Sequence, residues 1–294
     1  YNDLIVDDLR YSYNAVLDPL DFNTYTMNDW VLRNSSAKFL TTHADSLQVR
    51  SSEDRWVYML SSGITNATRM NVKSYDSSDV LLKSLFISNP LIAGNAHLRF
   101  PAGANLADVV ASAITNGIQP ILPANTYKYT LQTTDASSGV TSELRTYIIN
   151  DKCTGDDVYT LHFMNIMGGY DTFSFIRRTL RDSSVERKSF KSTLGNISGA
   201  NAWVYANADR GKTQYHATIK DVITLHSDYI TEADSEWLEQ LQYSPDVYLD
   251  DATHGLVSIN IMGDSYKIGS RRHDKLIEVS IQFTYSFNRY RQKI

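Results

Sequence analysis

Apolar and polar residues alternate with a period of two along much of this chain. The alternation is longest in Lys275–Phe287, where apolar side chains take every odd position from Ile277 onward, and it returns in Thr213–Leu225. Successive side chains of a β-strand point to opposite faces, so runs of this kind predict strands with one face in a core. These two segments are therefore predicted to be long strands.

Shorter segments with the same period, rich in Tyr, Thr, Ile and Val, predict further strands. They are Trp56–Leu60, Thr68–Tyr75, Val80–Ile87, Tyr127–Thr133, Glu143–Ile149, Tyr159–Met167 and Thr172–Arg177. Loops are predicted where small polar residues and glycines cluster, as at Ser183–Ser184, Gly195–Gly199, Ala208–Gly211 and Asp250–Gly255.

Two segments have the features of short helices. Asn105 can cap Leu106–Asn116, which Gly117 would end. Thr231, followed three residues later by Asp234, forms a second capping box. Two short helices among many strands predict an all-β fold of the sandwich type with helical connections.

The length of 294 residues allows one large domain or two medium ones. The turn-rich stretch at 150–157 is the best candidate for a boundary. We therefore predict an extended N-terminal arm over residues 1–30 and a β-sandwich domain with one helix over 31–150. Residues 151–294 are predicted to form a second β domain with a short helix and a long charged hairpin arm.

The hairpin arm is predicted from the stretch 177–191, in which positive and negative charges alternate. A solvated loop explains this stretch equally well. If it is an arm, its charged residues are candidates for contacts in an assembly: Arg177, Arg178, Arg181, Glu186 and Arg187.

Composition narrows the classes of function. Hydrophobic residues make up 42% of the chain and the formal net charge is −5, which argues against a nucleic-acid partner. The basic run of Arg289, Arg291 and Lys293 is interpreted as a solvated tail. No apolar run is long enough for a membrane span, and the first ten residues do not have the pattern of a signal peptide.

Motifs for catalysis and cofactors are missing from the sequence. It has no nucleophile elbow and no phosphate-binding glycine loop, and its seven histidines lack metal-ligand spacing. The single thiol, Cys153, has no neighbouring His or basic residue. We therefore expect no enzymatic activity, no cofactor and no metal. The acidic pairs Asp156–Asp157 and Asp250–Asp251 leave a glycosidase open, and 19 tyrosines and four tryptophans leave a carbohydrate-binding module open.

The most unusual local sequence is Leu161–Phe175, LHFMNIMGGYDTFSF. It predicts two strands joined by a tight turn, because adjacent glycines at 168 and 169 permit positive φ. Asp171 can hold the turn by bonding the backbone. The phenylalanines at 163, 173 and 175 would pack across the hairpin. We interpret it as an architectural corner.

This hairpin resembles one found in virion and prophage tail-region proteins of phages that infect Bacteroidetes, including crAss-like phages. Their pattern is Leu-x-Phe-x-Asn-x-x-Gly-Gly-aromatic-Asp-x-Phe-x-Phe. It is filled here by Leu161, Phe163, Asn165, Gly168, Gly169, Tyr170, Asp171, Phe173 and Phe175. Segments at 39–60, 142–151, 177–190 and 231–251 are similar in order around it, so the resemblance spans most of residues 39–287.

The resemblance implies a structural component of a tailed phage virion, in the tail, collar or neck, built from immunoglobulin-like or related β-sandwich domains. Its expected partners are copies of itself, in a homo-oligomeric ring or tube, and other virion proteins. The alternative is a surface- or glycan-binding tail adhesin. A hydrolase is a third hypothesis, which would need a pocket with two convergent carboxylates, one with a raised pKa.

Overall fold

A computed structural model describes residues 27–32, 37–62, 69–88, 95–104, 122–135, 137–151, 157–209, 211–270 and 277–292. Nearly all of the predicted N-terminal arm, the predicted helix at 106–116 and Cys153 lie outside these residues.

The described residues are mostly strands. In chain order the strands are β1 (Val31–Leu32), β2 (Ser46–Val49), β3 (Trp56–Ser62), β4 (Arg69–Tyr75), β5 (Leu81–Ser88), β6 (Asn95–Pro101), β7 (Lys128–Thr134), β8 (Arg145–Ile149), β9 (Tyr159–Met164), β10 (Tyr170–Phe175), β11 (Leu180–Lys191), β12 (Asn196–Ile197), β13 (Trp203–Val204), β14 (Lys212–His226), β15 (Val247–Asp251), β16 (Gly255–Ser270), β17 (Ile277–Tyr285) and β18 (Arg289–Gln292). The helices are α1 (Met27–Trp30), α2 (Glu232–Leu238) and α3 (Gln240–Tyr243).

Four sheets are formed within the described residues. The largest has the order β10-β9-β15-β16-β17-β14-β11, with β18 also paired to β14, and every pairing in it is antiparallel. A second sheet has the order β2-β8-β7-β4-β5, and a smaller one the order β1-β3-β6. Strands β12 and β13 pair only with each other. The prediction of an all-β fold is confirmed, whereas an immunoglobulin-like topology stays a prediction.

One hydrophobic cluster joins the sheets. It includes Met59 of β3, Leu131 of β7, Phe163 of β9 and Phe283 of β17, all fully buried. Its members therefore come from both sides of the predicted boundary at 150. The division into two domains stays a prediction, but the two parts share a core.

Alternation along the strands produces this core as the sequence predicts. In β17 the side chains of Ile277, Val279, Ile281 and Phe283 are buried, while Glu278 and Gln282 between them are exposed. The capping box is also confirmed, since Thr231 Oγ1 accepts a hydrogen bond from the Asp234 backbone N–H at 3.2 Å and α2 begins at the next residue.

Two local predictions are wrong. Ser183–Ser184, predicted as a loop, lies inside β11, where the Ser183 hydroxyl donates a 2.6 Å hydrogen bond to Asp221 on the paired strand β14. The C-terminal basic run, predicted as a solvated tail, has a strand at Arg289–Gln292 paired with β14. In both cases pairing with a distant strand overrides the local polar character.

Candidate assembly surface

The hairpin of β9 and β10 is closed by a turn that the Asn165 side chain organises. Its Oδ1 accepts hydrogen bonds from the backbone N–H groups of Met167 and Gly169, both at 3.0 Å. Gly168 has a φ of 79°, a conformation that favours glycine. The turn is therefore built from the residues that the sequence pattern singles out.

The same turn lies against the backbone that precedes β3. Asn165 Nδ2 donates a 2.8 Å hydrogen bond to the Leu40 carbonyl oxygen. A Cβ atom at position 169 would lie 2.7 Å from that same oxygen, closer than atoms can approach without a shift. Glycine at 169 is thus required by the close approach of two chain segments rather than by its own φ.

Asp171 was predicted to hold the turn by bonding the backbone, but its side chain instead ties three segments together inside the protein. Its Oδ2 accepts hydrogen bonds from Thr41 Oγ1 at 2.9 Å and from Trp237 Nε1, on α2, at 2.7 Å. Burial raises the pKa of Asp171, and the hydrogen bonds from Trp237, Asn165 and Thr41 act in the opposite direction. This carboxyl group therefore has a structural role, since its acceptor oxygen is engaged by the chain itself.

The aromatic residues of the hairpin complete the packing. Phe173 contacts Phe175 edge-on, with ring centroids 4.9 Å apart, and it contacts the Trp237 ring at 6.1 Å. The Tyr170 hydroxyl donates a hydrogen bond to Asp246. Burial and that carboxylate together raise the pKa of Tyr170. The structure thus brings the glycines, Asn165, Tyr170, Asp171, Phe173 and Phe175 of the hairpin into one corner, in which Asn165, Asp171 and Phe175 are buried and Tyr170 is partly exposed.

A buried ion pair beside this corner was missed in the sequence. Arg55 Nη2 lies 2.5 Å from both Glu53 Oε1 and the Thr172 carbonyl oxygen, so it joins the segment before β3 to β10. Both side chains are almost fully buried. Their i,i+2 spacing just before a predicted strand was a signal that they share a face, but nothing local indicated that this face is buried.

The predicted charged arm is exposed to solvent, unlike the hairpin of β9 and β10. Strand β11 pairs with β14 from Leu180↔Thr224 to Lys191↔Lys212, with an irregularity after Lys188. All but one of its twelve residues are exposed. Of the two alternatives for this stretch, a strand and a solvated loop, the structure has a strand.

The five charged residues proposed for the arm fall into two groups. Arg177 forms an ion pair with Asp228 at 2.6 Å, and Arg181 forms one with Asp221 at 2.9 Å, so both are held within the chain. Arg178, Glu186 and Arg187 are exposed, and the last two lie on β11. The structure does not gather these five residues into one site.

The end of the arm carries apolar residues that sequence reasoning did not single out. Beyond β11 the chain forms the small hairpin of β12 and β13 and returns through β14. Large apolar side chains are exposed along this part, including Ile197 at 63%, Trp203 at 58% and Phe190 at 50%. The others are Leu194, Val204, Tyr205 and Tyr215. We call residues 189–215 the arm tip.

The remaining candidate features are a metal site, a membrane span and the predicted acidic pairs. Within the described ranges, no three side chains of His, Cys, Asp or Glu are grouped closely enough to hold a metal ion. No helix in that part of the chain is long and apolar enough to cross a membrane. Of the acidic pairs, Asp156 lies outside the described residues. Asp251 accepts the backbone N–H groups of Thr253 and His254 in a turn, at 2.9 and 2.8 Å.

Comparisons with known proteins give no family. No family model matches the chain, and no curated protein matches it. Solved structures that match include a chain from the tail of an empty GTA particle, with 14% identity over 46% of this chain and 94% of that chain, at a TM-score of 0.25. A chain from the anti-feeding prophage baseplate has 9% identity over 49% of this chain and 98% of that one, at a TM-score of 0.24.

A third match is a chain from the anti-feeding prophage tube-terminating cap, with 9% identity over 46% of this chain and 88% of that chain, at a TM-score of 0.20. The matched chains are components of tails or tail-like particles. At TM-scores this low the likeness carries no argument about the fold or function of this chain.

Proposed function

We propose that this chain is a non-enzymatic structural subunit of a tailed-phage virion, in the tail, collar or neck region, and that it assembles into a homo-oligomeric ring or tube through its arm. The observation that carries the proposal is the arm tip, where seven large apolar side chains are exposed on a projecting ribbon. The resemblance of the hairpin at 161–175 to phage tail-region proteins supports the virion as the location.

The arm tip has the physical character of an interface. Monomeric soluble proteins rarely expose continuous apolar patches larger than a few hundred Å². Patches above that size mark surfaces that bind other proteins. A two-stranded ribbon is also only marginally stable in water by itself. Contact with a neighbouring subunit would bury Phe190, Ile197 and Trp203 and fix the orientation of the ribbon.

The edge of the arm supports the same proposal. Strand β11 stands at the end of the large sheet's strand order, so one row of its backbone N–H and C=O groups faces away from β14. Charges of both signs lie along it, among them Asp182, Glu186 and Arg187, and all three are exposed. Mixed charges of this kind allow pairing with a complementary neighbour and oppose pairing with others.

The experiment is sedimentation velocity at two protein concentrations. We expect the wild-type chain to be a multimer that survives dilution into the micromolar range. A variant with Phe190→Ser, Trp203→Ser and Tyr215→Ser should be monomeric with unchanged thermal stability, because these side chains contribute little to the core of the subunit.

A matched control carries Val140→Ser, Leu144→Ser and Tyr243→Ser, three apolar residues that are exposed to a similar degree away from the arm. It should assemble as the wild type does. A wild-type chain that stays monomeric, or an arm variant that assembles normally, would contradict the proposal.

A further inference from the structure

A cleft of about 330 Å³ lies between the β3–β6 pair and the strands β10, β9 and β15 of the large sheet. It has the size of a small-ligand site. Four aromatic side chains line its walls, those of Trp56, Tyr58, Tyr170 and Tyr248. Two carboxylates, those of Asp54 and Asp250, line them as well. The arm tip does not contribute to it.

Strand alternation explains why these residues meet. Trp56 and Tyr58 flank buried Val57 on β3, and Tyr248 and Asp250 flank buried Leu249 on β15. The side chains that do not face the core are therefore directed to the opposite side of each strand. Trp56 and Tyr58 of β3 thus form one wall of the cleft. Tyr248 and Asp250 of β15 form the other.

Polar groups at the floor of the cleft are fixed by neighbouring strands. Thr172, His162 and Tyr248 are cross-strand partners in one row of the large sheet. His162 Nδ1 lies 2.9 Å from Thr172 Oγ1, and its Nε2 lies 3.9 Å from Asp250 Oδ2. Burial lowers the pKa of His162, and the charge of Asp250 acts in the opposite direction, so a neutral imidazole is favoured at pH 7.

The cation position over the tryptophan is filled by the chain itself. The Arg99 guanidinium lies over the Trp56 ring, 4.0 Å from its centroid. A quaternary ammonium ligand in an aromatic cage would need such a ring face. This ring face is therefore not available to a quaternary ammonium ligand.

We propose that this cleft binds a neutral saccharide. Sugar rings have C–H faces that pack on aromatic rings, and hydroxyl groups that donate to carboxylates and accept from guanidinium and imidazole N–H groups. Tyr58, Tyr170 and Tyr248 provide the first kind of contact, and Trp56 holds Arg99 in place for the second. Asp54, Asp250, Arg99 and His162 provide the second. The volume of about 330 Å³ would hold about one or two sugar residues.

The hydrolase hypothesis needs a carboxyl group with a raised pKa in the same pocket. Asp171 has a raised pKa, but it bonds Thr41 and Trp237 in the interior and does not line this cleft. The raised pKa of Asp171 is therefore no evidence for a catalytic acid in this cleft. This inference is independent of the proposed assembly role.

Saturation-transfer difference NMR of the full chain with maltose, mannobiose, lactose and chitobiose tests the proposal. We expect at least one of these disaccharides to receive saturation at millimolar concentration, and calorimetry to give its Kd. Asp250→Asn, which keeps the size of the side chain, and Trp56→Ala should each weaken that Kd at least 10-fold.

The matched controls are Asp182→Asn and Trp203→Ala, which change the same residue types on the exposed arm. They should leave the Kd within twofold of the wild type, even where Trp203→Ala impairs assembly. The proposal is overturned if no probe binds the wild-type chain, if choline binds in place of every sugar, or if Asp250→Asn binds as tightly as the wild type.

Discussion

The two ends of the large sheet are both antiparallel hairpins, but their surroundings differ completely. At one end, β9 and β10 pair over six residues and bury Phe163, Asp171 and Phe175 against other elements. At the other end, β11 pairs with β14 over twelve residues and is exposed nearly throughout. Hydrogen-bonded pairing alone therefore does not determine which hairpin stabilises the subunit. The contribution of a hairpin depends on the side chains that it buries against other elements.

The largest expected effect is at the buried end. Asp171→Ala should lower the free energy of unfolding by about 3 kcal/mol, because Trp237 Nε1 and Thr41 Oγ1 would lose their buried acceptor. Urea titration measures this loss. Asp182→Ala, on exposed β11, should change stability by less than about 0.5 kcal/mol. Equal losses in the two variants would remove the distinction between the hairpins.

Glycine substitutions give a matched pair with a smaller effect. Gly169→Ala should destabilise the chain by about 2 kcal/mol, since the new Cβ would lie 2.7 Å from the Leu40 carbonyl oxygen. Gly199→Ala, at the arm tip, meets nothing within 4 Å and should be neutral. Thermal unfolding of both variants measures the difference, and a neutral Gly169→Ala would show that this contact is loose.

The smallest effect is a dependence of stability on pH. Burial, then the charges of Arg145 and Arg55, lower the pKa of His43 well below its usual 6.5, so the folded state favours the neutral ring. The stability that this provides is present above pH 6.5 and is lost as the pH falls below it towards the lowered pKa of His43.

His43→Gln should flatten this part of the curve of unfolding free energy against pH. If the wild-type curve is already flat between pH 7 and 5, the buried histidine does not contribute as proposed.

Sequence reasoning predicted several of the strands that have one buried face, but it missed β2, β15 and β16. The parity of Ile277–Phe283 is a property of the sequence alone, and it specified β17 correctly. Strand β11 has no such pattern, because both of its faces are exposed, and the serines at 183 and 184 were interpreted as a loop. Its pairing with β14 depends on partners about 40 residues away, such as Asp221 for Ser183.

The turn at 165–169 and the cleft also differ in how far the sequence predicts them. The turn at 165–169 was predictable in part, because Gly168 and Asn165 act on the backbone of the turn itself, whereas Gly169 is required by the approach of Leu40. The cleft was not predictable, because Trp56 and Tyr248 look like ordinary outward-facing strand residues until two sheets bring them together. The charges of Arg177 and Arg181 suggested contacts with partners, but each bonds an aspartate of the same chain.

The segment around Leu40 has a consequence for biosynthesis. Its neighbours Phe39 and Thr42 bond Glu143 and Gln240, the second pair separated by 198 residues. Most of the chain must therefore have left the ribosome before this segment can dock. The apolar arm tip is translated before Trp237 and Gln240, so it is exposed to nascent neighbours while the core is still open. A chaperone that covers the arm tip at that stage would protect the yield of subunits.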